Sequence, residues 1–182
     1  MTVRPVRIYG DPVLRLKARE IAEFDDSLRQ LVADLEQTMH AFNGVGLAAN
    51  QVGVAQRVLI VDVPVDDETR ARHVLVNPLL SEREGTQDGE EGCLSIPGIY
   101  EDVKRARSVR VRAFDEFGRP VEFAAEGYLA RAIQHEVDHL DGVLFVDRIS
   151  ALKRALLKRR LEDLSRGDLP DDYPPPAARG GI

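Results

Sequence analysis

Cysteine occurs once in 182 residues, at Cys93, so no disulfide can form within the chain. That scarcity suits a reducing compartment, where a thiol stays available as a ligand or nucleophile. Long apolar runs are missing too. No stretch approaches the roughly eighteen consecutive apolar residues of a membrane span. The opening MTVRPVRIYGDPVL holds no continuous apolar h-region, and a cytoplasmic location is expected. Excess positive charge is also lacking: the net charge is −6 and the pI near 5.3, which argues against general binding to a nucleic-acid backbone. A hydrophobic share of 43% fits a globular chain. No repeat or linker divides it, so one domain is expected over 1–167. From 168 to 182 the chain reads DLPDDYPPPAARGGI, whose proline and glycine content predicts a disordered tail.

What is present reads as an α+β domain. Leu28, Leu31, Val32, Leu35, Met39 and Phe42 recur at helical spacing, with Asp25, Asp26 and Ser27 as candidate N-caps and Gly44 just past the end. RVLIVDV at 57–63, HVLVNPLL at 73–80 and SVRVRAFD at 108–115 read as strands, the last joined through EFG to RPVEFAAE as an antiparallel hairpin. From Gly127 a second helix begins. Leu129, Ile133, Val137 and Leu140 form one stripe, and Tyr128, Ala132, His135 and His139 the next, so this helix needs cover on most sides. A third helical pattern runs over 149–166. The expected architecture is therefore antiparallel sheet packed around a buried central helix, followed by a C-terminal helix and the tail.

Within that buried helix lies QHEVDH, residues 134–139. His135 and His139 stand at i and i+4, about 40° apart around the axis, so both imidazoles reach one ion. Glu136 completes an H-E-x-x-H pattern and can face a water at the metal without binding the metal itself. A third ligand is needed. The pattern H-E-x-x-H-x-x-G-x-x-H fits through Gly142 but fails at Phe145. A downstream glutamate is limited to Glu162, which sits amid Arg160 and Asp163 in a basic helix. The remaining soft donor is Cys93 in EEGCLSIPG, where glycines let the backbone approach an ion. A further stretch, GVGLAANQVG at 44–53, reads on its own as a helix C-cap and loop. Its glycines also permit an extended backbone, and Gln51 offers an amide donor.

Taken together, GVGLAANQ, EGCLS and QHEVDH resemble the three motifs of the peptide deformylases, in the family's order and approximate spacing, with every fixed position present. The resemblance covers all but the last fifteen or so residues. It implies hydrolysis of the formyl group from the N-terminal formyl-methionine of new polypeptides, releasing formate. It implies that Cys93, His135 and His139 hold a divalent metal, leaving a position for water whose pKa the ion lowers. Ferrous iron is the usual metal, and the same donors accept zinc, nickel or cobalt. Glu136 is implied as the proton carrier, with the Gln51 side-chain amide and the Leu94 backbone N–H at the developing oxyanion. Val45, Gly46 and Gly92 are implied as the strand-like partners of the substrate backbone. Helical geometry adds Tyr128 and Ala132, two turns and one turn before His135, as walls of the methionine pocket. Lys153, Arg154, Lys158, Arg159 and Arg160 form a basic cluster on the third helix. It reads either as a solvated face or as a dock to the ribosome, which some similar enzymes make with a C-terminal helix.

Overall fold

The computed structural model of the chain describes residues 2–66 and 68–174. Helix α1 spans Asp26–Ala41, and the Asp25 carboxylate caps it by accepting from the Leu28 N–H at 3.0 Å. Short strand β1 (Gly46–Ala48) follows, then β2 (Val58–Pro64), β3 (Arg70–Glu84), the pair β4 (Gln87–Cys93) and β5 (Ile96–Arg105), and the hairpin β6 (Ser108–Phe114) and β7 (Pro120–Glu126). Helix α2 covers Gly127–Leu140 and α3 Ala151–Ser165. Both sheets are antiparallel: β1-β2-β3-β6-β7 in one, β4-β5 in the other.

The continuous apolar run in β2 has a simple cause. Leu59, Val61 and Val63 face α2 and pack with Ile133, Val137 and Leu140, while Val58 and Ile60 face α1 and pack with Leu31, Leu35 and Met39. A strand covered on both faces cannot alternate in polarity. Every residue of α2 from Ala130 to Leu140 is buried, as the broad apolar arc predicted. A third cluster joins β5 to α3 through Ile96, Ile99, Val103, Leu157, Leu161 and Leu164.

Two features differ from the expectation. The EEGC segment belongs to a β-hairpin, β4-β5, whose turn is Leu94–Ser95, where the sequence showed only a glycine-flanked approach. The tail expected to be disordered from 168 is ordered over 168–174. The Asp168 N–H donates to the Asp163 carbonyl at 3.0 Å, the Tyr173 N–H to the Pro170 carbonyl at 2.9 Å, and the Tyr173 ring lies against Phe42. Backbone bonds to the end of α3, Leu169 and Pro170 against Ile99 and Leu164, and the Tyr173 ring together hold the segment on the domain. The remainder of that expectation, 175–182, lies outside the described residues.

Candidate metal centre

Cys93 closes strand β4, and the helical spacing of α2 brings His135 and His139 opposite it. One donor atom from each of the three lies within 4.8 Å of the others. Cys93 Sγ is 3.2 Å from His139 Nε2. The strand alternation that aims Cys93 at the helix also aims Glu91, two residues earlier, at the same side. Its carboxylate lies 2.9 Å from His135 Nδ1; with that nitrogen donating to it, the neutral ring keeps Nε2 as an electron-pair donor on the side of Cys93. Burial disfavours charge on His135, yet its bonds to Cys93 and Glu91 outweigh burial and raise its pKa well above the ordinary value. Burial, reinforced by the neighbouring His135, lowers that of His139. One soft thiol and two imidazoles, all converging and largely buried, are a donor set for a divalent transition ion.

Glu91 is the hub of a buried ion network. Burial alone raises a carboxyl pKa, but bonds from His135 and Arg105 bring this one down to about 2. Arg105 binds both its oxygens at 2.9 Å, and Arg131 of α2 donates to it at 2.8 Å. Arg105 also pairs with Asp138, which Arg148 holds from its other side. Arg131 adds bonds to the carbonyls of Gly89, Val103 and Gln87, fastening α2 to the β4-β5 hairpin. The strand that carries Cys93 and the helix that carries both histidines are thus locked to each other by charge as well as by packing. Sequence reasoning missed Glu91, Arg105, Arg131 and Asp138. The available signal was that Glu91 shares a strand face with Cys93.

Glu136 has a different environment. Its Oε2 is buried without a hydrogen-bond partner among the described residues, and burial pushes the carboxyl up to about 7, with His135 opposing that rise. A carboxyl poised near neutrality suits a group that takes up and returns a proton. Gly46 lies against it: a Cβ at that position would fall 2.5 Å from Glu136 Oε1. Gln51 is 1% exposed. Its Oε1 accepts from the Ala48 N–H at 2.9 Å, which turns its NH₂ toward Ser95 Oγ at 3.2 Å and Cys93 Sγ at 3.5 Å. Ser95, fully buried in the hairpin turn, is a further residue the sequence did not single out.

A cavity of about 660 Å³ opens beside this cluster. Val45, Gly46, Gln51, Gly92, Cys93, Leu94, Tyr128, Ala132, His135 and Glu136 all line it, and His139 lies just behind Cys93. Strand β1 is an edge of its sheet, leaving one row of backbone groups outside that sheet's ladder. At Gly92 a Cβ would meet the Tyr100 ring at 2.5 Å, so glycine is required for that ring to cover the strand.

A family model described as polypeptide deformylase matches residues 3–155. The chain belongs to the polypeptide deformylase family. A peptide deformylase of Alkalilimnicola ehrlichii is 51% identical over 166 residues, covering 91% of this chain and 93% of that one. A peptide deformylase structure from Thermus thermophilus superposes with a TM-score of 0.84 at 43% identity, covering 91% of this chain and 99% of its own. Another, from Ehrlichia chaffeensis in complex with actinonin, gives 0.85 at 35% identity, covering 92% and 99%. As a family member the chain is an amidohydrolase acting on polypeptides. No helix among the described residues is long and apolar enough to cross a membrane.

Proposed function

We propose that this deformylase is a metal-dependent hydrolase that removes the N-formyl group from the N-terminal formyl-methionine of newly made polypeptides in the cytoplasm. The observation that carries this reading is the convergence of Cys93, His135 and His139 donor atoms beside Glu136, whose buried Oε2 has no hydrogen-bond partner among the described residues. These three residues would hold one divalent ion, Fe²⁺ in the cell, with Zn²⁺, Ni²⁺ or Co²⁺ also accepted by the same donors. The ion, when bound, supplies Lewis acidity that makes water a competent nucleophile near neutral pH.

The chain's own groups do the rest. Glu136 takes one proton from the attacking water as its oxygen bonds to the formyl carbon. The same carboxyl then delivers that proton to the leaving nitrogen as the C–N bond breaks, giving formate and a free amine. The Gln51 NH₂, fixed by Ala48 through its Oε1, and the Leu94 N–H in the hairpin turn are the donors for the oxygen that gains charge. Their fixed dipoles act without reorganising. The free edge at Gly46, which opens β1, and its neighbour Val45, with Gly92 opposite, receives the substrate backbone as an added strand. Tyr128 and Ala132 on α2 wall the methionine side chain.

Formyl-Met-Ala-Ser and unformylated Met-Ala-Ser test the reading together. Release of formate from the first and no cleavage of the second supports it, whereas peptide-bond cleavage of either makes the chain a peptidase. The basic helix is proposed as a weak ribosome contact. Leu152 and Leu156 are exposed beside its charges, although Lys153 pairs with Glu101 at 2.8 Å, Arg154 with Asp147 at 2.8 Å, and Arg160 donates to the Gly98 carbonyl. Arg159, and Lys158 in its loose, exposed pair with Glu162 at 3.8 Å, therefore remain the main charges for such a contact.

A further inference from the structure

The segment that follows α3 returns to the catalytic cavity. Asp168 is tied to the end of α3 by the Asp163 carbonyl, and Leu169 and Pro170 lie in a groove with Pro97, Ile99 and Leu164. Pro170 rests on the start of strand β5 so closely that a Cβ on Gly98 would meet its Cγ at 3.3 Å. The turn closed by the Tyr173 N–H on the Pro170 carbonyl then sends the Tyr173 side chain toward the cavity. Pro170, Asp172 and Tyr173 line the same space as Gly46, Cys93 and Glu136. Asp172 is exposed, so the segment enters at the rim rather than the floor.

Two observations give Tyr173 a role beyond packing. Its ring pairs with Phe42 at 5.7 Å between centroids and an angle of 49°, forming an aromatic wall. Its hydroxyl is buried with no hydrogen-bond partner among the described residues. A buried donor left unpaired is costly and calls for an explanation. The cavity remains about 660 Å³ with the segment in place, well within the range that admits a small peptide. The segment therefore borders the space without filling it.

Building on the proposed deformylation, we infer that Tyr173 is a substrate-binding residue of this enzyme, contributed by the C-terminal segment. Its hydroxyl donates to a backbone carbonyl of the substrate downstream of the formylated residue, and its ring with Phe42 covers the side chain there. The burial that pushes the phenol's pKa upward keeps it a neutral donor. Removing the hydroxyl leaves the chemistry at Glu136 untouched and weakens only the hold on the peptide.

The test uses the full-length, metal-loaded enzyme with formyl-Met-Ala-Ser, comparing the parent with Tyr173→Phe, Tyr173→Ala and, as a control that does not line the cavity, Tyr9→Phe. A lost hydrogen bond raises KM about 3- to 10-fold in Tyr173→Phe, with kcat within about twofold. Tyr173→Ala shows at least the same rise in KM, and Tyr9→Phe shows none. Circular dichroism melting establishes that the variants are folded, and Tyr173→Phe keeps the ring that packs on Phe42. Unchanged KM in both Tyr173 variants overturns the inference. A fall in KM for Tyr173→Ala also overturns it, because the segment would then be an obstruction that competes with substrate. Absence of formate release from the parent enzyme defeats the proposed function itself, a result distinguishable from either of these.

Discussion

Replacing Glu91 with alanine removes one carboxylate from a site where three cationic or proton-donating side chains meet. Its side chain and that of Arg105 are each 4% exposed, so solvent cannot compensate. Breaking a buried ion pair by deleting one partner costs about 3–5 kcal/mol, because the surviving charge stays buried and unpaired. Here the cost falls near the lower end. Arg105 retains Asp138, and Arg131 retains three backbone carbonyls. For a chain of this size each kcal/mol moves Tm by about 2–4 °C. The expected loss for metal-free protein is thus about 6–12 °C. His135 simultaneously loses the acceptor that orients its ring, which lowers metal affinity by about 10- to 100-fold. Differential scanning calorimetry on chelated protein and a competition titration with a chromophoric chelator read the two effects separately. Glu36→Ala, which breaks the more exposed Arg72 pair at 2.5 Å, serves as the control and costs less than about 1 kcal/mol. A Glu91→Ala protein that melts within about 2 °C of the parent and binds metal as tightly would refute the claim that this network locks β4 to α2.

Cys93→Ser keeps the fold but loses most of its transition metal, since a neutral hydroxyl is a far poorer ligand than a thiolate; elemental analysis showing full occupancy places the third ligand elsewhere. Gly46→Ala sets a methyl against Glu136 Oε1 and forces that flexible carboxylate aside. Metal content should hold while kcat drops at least tenfold, and steady-state kinetics within twofold of the parent contradict the contact. Neutralising Lys158, Arg159 and Arg160 together leaves hydrolysis of short peptides unchanged and weakens co-sedimentation with ribosomes in a salt-dependent way; unaltered co-sedimentation returns the cluster to a solvated face.

Much of the fold could be read from the apolar pattern: α1 and the β6-β7 hairpin follow the period of their own geometry, while the unbroken run of β2 and the broad arc of α2 record cover on both or most faces. In each, the apolar positions are the ones that pack into the core. The β4-β5 hairpin could not be read that way. Gln87–Cys93 is QDGEEGC, rich in acids and glycine, and its strand state comes from pairing with Ile96–Arg105 and from Arg131 anchoring its carbonyls. The ends of β3 follow the same logic, since Arg70–Arg72 and Ser81–Glu84 are drawn into the strand by their neighbours. At the site, the motifs carried the side chains facing the cavity, which have fixed spacing within one element. The network behind them joins residues 91, 105, 131, 138 and 148 across a hairpin, a helix and a loop, and no local spacing records it. The C-terminal segment escaped notice because it docks through a few scattered contacts, Leu169, Pro170 and Tyr173, with no periodic apolar face, and composition alone reads such a stretch as solvated.

The central claim is that three residues hold a metal while Glu136 moves the proton, and Glu136→Gln separates the two within one helical turn. Glutamine keeps the size and a hydrogen-bonding tip but removes the base. Metal per protomer, measured by elemental analysis on anaerobically prepared protein, should remain at the parent value. Formate release from formyl-Met-Ala-Ser should fall by about 10²–10⁴ in kcat, with KM little changed. A variant that retains its metal and turns over within about tenfold of the parent rate contradicts the mechanism, since that loss is smaller than removal of a general acid–base group produces.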